Sequence, residues 1–138
     1  MHRNGQILVL SPSDLTAFLA CAHRSHLDRL VVEGILDRPE RDDPELEILR
    51  RHGDRHERRE LERLRAEGRT IIEIDCPGSS PEALAAAEAN TLSAMQAGAD
   101  VVFQATFFDG RWRGHADFLI KVDTPSDLGS ANSIRNGG

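Results

Sequence analysis

The pattern of hydrophobic and polar positions divides this chain into short strands and longer helices. Short apolar runs predict strands at 7–10, 70–74 and 101–108, and apolar residues at helical spacing predict helices over about 11–34, 45–67 and 80–98. Ser11-Pro12 and Ser80-Pro81 place a capping serine before a proline at the first helical position, and Asp14 stands in capping-box register. Gly34, Gly68 and Gly98 mark the predicted helix ends.

The last predicted element is a β-hairpin that turns at Asp109-Gly110. An Asp-Gly pair between two β-forming runs is a strong hairpin signal. Strict alternation along the second strand, 112–122, predicts a core face and an outer face. The core face has Trp112, Gly114, Ala116, Phe118, Ile120 and Val122, and the outer face has Arg113, His115, Asp117 and Leu119. Aspartate is disfavoured in strands, so Asp117 is either solvated or faces a positive partner.

The helix over 45–67 has a predicted inner stripe and an arginine-rich outer face. The stripe is Leu46, Leu49, Gly53, His56, Leu61 and Leu64, which predicts that His56 points inward. Gly53 costs roughly 1 kcal/mol relative to alanine inside a helix, and a close approach of another backbone would explain it. The outer arginines are either a solvated face with pairs such as Asp54–Arg58 or a contact surface for DNA phosphates.

Composition limits the remaining interpretations. The 138 residues suit one domain at most, and the net charge of -6 gives no overall signature of nucleic-acid binding. Lys121 is the single lysine among 17 basic residues. The two cysteines, Cys21 and Cys76, form no CxxC pair, and the chain has neither a leader pattern nor a run of 18 apolar residues. We expect a cytoplasmic protein with no membrane contact.

Three stretches resemble the RecB-like, CRISPR-associated type of the PD-(D/E)XK nuclease superfamily, in its iron–sulfur branch. Residues 11–27, with Ser-Pro-Ser-Asp-Leu and Cys-Ala-His-Arg, are similar to the family's opening helix. Residues 53–57, Gly-Asp-Arg-His-Glu, are similar to its Gly-x-x-His-Glu motif, and residues 114–119, Gly-His-Ala-Asp-Phe-Leu, to its Gly-x-x-Asp motif. Their order and spacing make the resemblance more specific than each motif alone.

The resemblance implies a restriction-endonuclease-like α/β core of helices packed on a small mixed sheet. It implies that His56 and Asp117 are catalytic metal ligands for Mg²⁺ or Mn²⁺, and that Cys21 is one of four cysteine ligands of a 4Fe-4S cluster. The implied activity is metal-dependent cleavage of DNA, of exonuclease type, in repair or processing. The implied partners are DNA that is single-stranded or has free ends, and a helicase or a C-terminal nuclease portion.

The sequence departs from that family after Asp117. Two residues before Lys121 stands Leu119, where the family has the carboxylate of a carboxylate-x-Lys motif, and three of the four cluster cysteines have no counterpart. Arginine does not simply replace that lysine. We therefore expect residues 1–122 to be the N-terminal part of a nuclease domain, truncated before its third core strand and incomplete or inactive by itself. Residues 123–138 are expected to be a disordered tail.

Other interpretations of the same residues stay open at this point. His56 is equally a core histidine bonded to a carboxylate or a backbone group, and Asp117 a solvated strand residue. Cys21 without its partners behaves as a small buried hydrophobe. The alternative function is a non-catalytic nucleic-acid-binding or interaction module that uses the arginine-rich helix 45–67.

Overall fold

The computed structural model describes residues 1–39 and 44–123, and within them it is a mixed α/β arrangement of four helices and two small sheets. The elements are β1 (His2–Asn4), β2 (Ile7–Val9), α1 (Pro12–Ala20), α2 (Ala22–Val32), α3 (Pro44–Ala66), β3 (Ile71–Glu73), α4 (Pro81–Gln96), β4 (Val101–Phe108) and β5 (Arg113–Ile120). The α/β class and every predicted strand are confirmed. The predicted tail beyond Asp123 and residues 40–43 lie outside the described residues.

The larger sheet has the strand order β3-β4-β5, with β3 parallel to β4 and β4 antiparallel to β5. The predicted Asp-Gly turn is confirmed. The Asp109 carboxylate accepts hydrogen bonds from the backbone N–H groups of Arg111 at 2.9 Å and Trp112 at 2.6 Å. Gly110 has a φ of +90°, a conformation that glycine adopts with little strain. The turn chemistry therefore fixes where β5 begins.

Helix α4 covers the sheet through a stripe of small and apolar side chains. Leu84, Ala87, Thr91 and Ala94 are buried, whereas Met95 is 45% exposed. The buried stripe therefore advances three residues after Thr91 rather than four. The Thr91 hydroxyl donates to the Ala87 carbonyl at 2.9 Å and accepts from the Thr106 N–H at 3.0 Å. A buried hydroxyl thus joins α4 to β4.

The strict alternation predicted for β5 is wrong, because the hairpin changes phase in its middle. Val102 and Ala105 belong to one core cluster although three residues separate them, and on β5 Ala116 and Leu119 pack against that same cluster. Between the buried pair on β4 lies Gln104, with a φ of +57°. One residue in the left-handed region reverses the faces of the strand, which brings Leu119 to the core side instead of the outer side.

The N-terminal region joins the larger sheet at the start of β5. Leu10 donates its N–H to the Arg111 carbonyl and accepts the Arg113 N–H, both at 2.8 Å. Val9, at the end of β2, forms a second buried cluster with Leu84 and Phe108. The small β1–β2 hairpin is therefore connected to both α4 and the sheet.

The first predicted helix, 11–34, is two helices. Cys21 separates α1 from α2 with an extended backbone, φ -162° and ψ 101°. The predicted capping box at the start of α1 forms, since the Ser11 N–H donates to the Asp14 carboxylate at 2.8 Å. Neither α1 nor α2 contains a fully buried residue.

In the described ranges, none of the helices combines the length and the apolar character needed to cross a membrane.

Candidate functional site

Three polar side chains from different elements converge where the sheet changes phase. The Gln104 Nε2 atom donates to the Glu57 Oε2 atom at 3.1 Å, which joins β4 to α3. Asp117 takes the register position across from Gln104, between the Phe103–Phe118 and Ala105–Ala116 pairs, and its charge acts on Glu57. We call Glu57, Gln104 and Asp117 the α3–β5 carboxylate site.

The unusual backbone of Gln104 positions this site. A non-glycine residue with positive φ is uncommon and costs of order 1 kcal/mol or more, so surrounding contacts must hold it. Here the ladder on both sides of Gln104 and the bond to Glu57 supply those contacts. Local strain of this kind is concentrated at functional sites.

Glu57 occupies the inward position on α3 that was predicted for His56. Glu57 lies four residues before Leu61 and seven before Leu64, the two buried leucines of this helix, so all three share one face. Glu57 is half-buried and His56 is exposed. The predicted inward orientation of His56 is wrong because its spacing was taken from Leu49, which is 66% exposed.

Two related predictions for α3 are also wrong. Apart from its own helix backbone and chain neighbours, no heavy atom of the described residues lies within 4 Å of a Cβ built on Gly53, so no other backbone in that part of the chain approaches it closely. The Asp54–Arg58 ion pair is absent from the pairs within 4.0 Å in residues 1–39 and 44–123. The sequence signal that would have identified Glu57 was its spacing from Leu61 and Leu64, not the position of the glycine.

The electrostatics of the site concentrate negative charge. Burial raises the pKa of Glu57, and the charges of Asp117 and Asp54 raise it further, while the hydrogen bond from Gln104 opposes them. The charge of Asp117 disfavours the ionised form of Glu57, and a bound cation would relieve that effect. The side chain of Asp117 belongs to an exposed residue, so the site is open to solvent on that side.

His115 and Lys121, two other titratable residues of the hairpin and its end, interact with partners other than Glu57. The His115 Nδ1 atom lies 3.2 Å from the Thr106 hydroxyl, and burial, together with the Arg113 charge, lowers the pKa of His115. The pKa of Asp100 is lowered chiefly by the hydrogen bond from the Thr70 N–H, and also by the charge of Lys121. The only lysine of the chain therefore lies near the start of β4 and acts on Asp100.

Cys21, predicted as a cluster ligand, is a free and exposed thiol at the junction of α1 and α2. Cys76 is also free and exposed, in the segment between β3 and α4. A 4Fe-4S cluster requires four thiolate ligands, and this chain has two cysteines. The residues of this chain therefore do not fit the cluster. The alternative of a buried Cys21 is wrong as well, since the side chain is exposed.

The arginines of α3 fall into two groups. Arg51 pairs with Glu47 at 3.1 Å, Arg63 pairs with Glu60 and Glu67, and Arg65 pairs with Glu73. Four others, Arg50, Arg55, Arg58 and Arg59, form no ion pair within 4.0 Å in the described part of the chain. These four, which we call the unpaired arginines, leave charge available for an external anion.

Comparisons with known proteins add no family to this geometry. Protein-family models, curated proteins and solved structures all return no match to the chain.

Among the residues that the structure describes, no group of three or more His, Cys, Asp or Glu side chains is arranged to hold a metal ion. The α3–β5 carboxylate site has two carboxylates and one amide, and each of these groups has an oxygen atom of the kind that binds a metal ion.

Proposed function

We propose that this chain is the N-terminal part of a divalent-metal-dependent DNA nuclease domain of the RecB-like PD-(D/E)XK type. The observation that supports the proposal best is that Gln104 bonds Glu57 and takes the register position across from Asp117, whose charge acts on Glu57. One carboxylate comes from the helix with the Gly-x-x-His-Glu resemblance and the other from the strand with the Gly-x-x-Asp resemblance. In this proposal both motifs contribute to one site, although Glu57 and Asp117 are 60 positions apart in the sequence (117 − 57).

The donor set suits Mg²⁺ or Mn²⁺. Both ions bind carboxylate, amide and water oxygens, and Mg²⁺ commonly takes only one or two protein carboxylates. Glu57 and Asp117 would hold the ion, and His56 stays a proposed ligand from the resemblance alone. When bound, such an ion activates water and stabilises charge on a phosphate.

The chain's own residues have distinct roles in this proposal. Gln104 positions Glu57 through its amide N–H, and the ladder on either side of Gln104 positions Asp117 opposite. Neither side chain supplies the positive charge that a lysine would, and Lys121 acts on Asp100 instead. We therefore expect the isolated chain to bind DNA in a metal-dependent way and to cleave it slowly or not at all.

The test compares binding of single-stranded DNA in Mn²⁺ and in EDTA. We expect Mn²⁺ to strengthen binding about tenfold, a free-energy change of about 1.4 kcal/mol, and Asp117→Asn and Glu57→Gln to remove that gain. Glu82→Gln, an exposed carboxylate on α4, is the matched control. Equal affinity in Mn²⁺ and EDTA for the wild type contradicts the proposal, as does DNA degradation that persists in both site variants.

A second candidate function is metal-independent DNA binding by the unpaired arginines. Phosphate contacts release counterions, so the logarithm of affinity falls with the logarithm of salt at a slope of about -0.7 for each contact on single strands. Four contacts give a slope of roughly -3. If this function is right, changing Arg55, Arg58 and Arg59 to alanine makes the salt slope less steep. Arg63 is already paired with carboxylates, so Arg63→Ala leaves the slope unchanged. A triple variant with the wild-type slope would exclude DNA binding by the unpaired arginines.

A further inference from the structure

The larger sheet has an open edge at β3, because no other strand in residues 1–39 and 44–123 pairs there. The Thr70 carbonyl accepts from the Val101 N–H at 3.1 Å, and the Ile74 N–H donates to the Phe103 carbonyl at 3.0 Å. Alternate residues of a strand face the same neighbour, so Thr70, Ile72 and Ile74 face β4. Ile71 and Glu73 consequently present their N–H and C=O groups to the open edge.

A groove of about 380 Å³ lies along this edge, between β3 and α4. Helix α4 lines it with Asn90, Ser93 and Ala94, and the C-cap residue Ala97 completes that side, so there is room beside the strand. Ile72 packs toward the same cluster as Ala94, so its side chain lies on the α4 side of the sheet. An unpaired strand beside open space is a template for another strand.

We propose that a second copy of this chain covers the edge through antiparallel pairing of β3 with β3 of the partner. A two-fold axis at Ile72 places Ile71 of each copy opposite Glu73 of the other, so the outward backbone groups of both copies bond to each other. Continued past both ends of β3, the same register brings Arg69 of each copy opposite Asp75 of the other. Opposite charges directly across an antiparallel pair are stabilising, and symmetry supplies the pair twice.

The sequence of β3 favours this register over its neighbours. A shift of two residues toward the C-terminus places Glu73 opposite Glu73 of the partner, and like charges directly opposite each other are destabilising. A shift of one residue sets the outward N–H and C=O groups of Ile71 and Glu73 opposite residues whose own groups face β4, so the backbone hydrogen bonds between the copies are lost. The register at Ile72 therefore combines hydrogen bonding, an isoleucine pair on the α4 side and two charge pairs.

The test is a charge-reversal cycle measured by sedimentation equilibrium. We expect the wild type to dimerise, and Arg69→Asp and Asp75→Arg each to weaken dimerisation about tenfold, since each creates two like-charge pairs. The double variant Arg69→Asp/Asp75→Arg restores the opposite charges and the wild-type dissociation constant to within about threefold. Arg111→Glu, an exposed reversal in the hairpin turn, is the control and leaves dimerisation unchanged.

Folding is monitored separately, because Arg69 also contacts Glu67 at 3.3 Å. Circular dichroism and thermal unfolding of each variant show whether the monomer is intact. Amide hydrogen exchange of Ile71 and Glu73 gives a second readout, with protection that rises with protein concentration. A monomeric wild type, a dimer that both single variants leave unchanged, or a double variant no tighter than the single variants overturns the proposal.

Discussion

Gln104 donates a hydrogen bond to Glu57 at 3.1 Å although 47 residues separate them, and Gln104 has a φ of +57°. The side chain and the backbone of Gln104 thus act in opposite directions on stability. The bond to a partly buried carboxylate stabilises the contact between α3 and β4, whereas the left-handed backbone costs about 1 kcal/mol.

This relationship predicts that Gln104→Gly is more stable than Gln104→Ala, the reverse of the usual order inside a strand. Gln104→Ala loses the hydrogen bond and keeps the backbone strain, so we expect a loss of about 1–2 kcal/mol in the free energy of unfolding. Gln104→Gly loses the same bond but adopts positive φ with little strain, so it should be more stable than the alanine variant by about 1 kcal/mol. Urea unfolding measures both. An alanine variant more stable than the glycine variant contradicts the strained backbone.

The buried Thr91 hydroxyl provides a second prediction. Thr91→Val keeps the shape but leaves the Thr106 N–H buried without its acceptor, which should cost about 1–3 kcal/mol. Thr16→Val is the matched control, because its hydroxyl also bonds the carbonyl four residues earlier, that of Pro12, at 3.1 Å, but the residue is exposed. Thermal unfolding should show a clearly lower melting temperature for Thr91→Val and almost no change in melting temperature for Thr16→Val.

The two glycines at 110 and 53 predict opposite responses to alanine. Gly110→Ala forces a side chain into the left-handed region at φ +90°, so we expect a loss of about 1 kcal/mol or more in stability. Gly53 is inside α3 with open space around its Cα, so Gly53→Ala should raise stability by up to about 1 kcal/mol. The denaturant midpoints of both variants, each compared with the wild type, test these two predictions. A destabilising Gly53→Ala would contradict the open space around Gly53.

The elements of this fold were predictable where local chemistry determines them. The Asp109-Gly110 turn, the proline and serine at the start of α4, and the glycines that end the helices each act within a few residues. The length of α3 and the exact span of β4 followed from periodicity and apolar run length. These predictions are confirmed.

One of the departures depends on a contact that is distant in sequence. Nothing in the residues around Gln104 indicates positive φ, since the strand pattern there is ordinary and the partner, Glu57, lies in another element. Cys21 interrupts a continuous helical pattern without a proline or a glycine. The spacing from Leu49 places His56 inward only if Leu49 is buried, and Leu49 is 66% exposed. The contact with Glu57 overrides the local pattern at Gln104, whereas the break at Cys21 has no structural explanation in the described residues.

The capping box of α1 predicts a pH dependence of stability. Burial raises the pKa of Asp14, but the hydrogen bonds from the N-terminal ammonium group and from Ser11 together outweigh it, so its pKa lies below the ordinary 3.8. A carboxyl whose folded pKa is lowered stabilises the fold above the unfolded value and loses that effect as the pH falls through the folded value. Asp14→Asn should therefore cost about 1 kcal/mol at neutral pH.

The pH profile distinguishes charge from shape. The stability difference between the wild type and Asp14→Asn should stay constant from neutral pH to about pH 5 and shrink below the ordinary value of 3.8. Thermal unfolding across this range measures it, with Ser13→Ala, an exposed neighbour in the same turn, as the control. A difference that is unchanged at the lowest pH would mean that the charge of Asp14 contributes nothing.

The most direct measurement for the α3–β5 carboxylate site is binding of Mn²⁺, followed by loss of the free-ion signal in electron paramagnetic resonance. We expect one Mn²⁺ per chain in the wild type and affinities about tenfold or more weaker in Glu57→Gln and in Asp117→Asn, with Glu82→Gln unchanged. His56→Ala shows whether the exposed histidine contributes a ligand. No Mn²⁺ binding in the wild type, or equal affinity in the wild type and both carboxylate variants, would contradict the assignment of Glu57 and Asp117 as metal ligands.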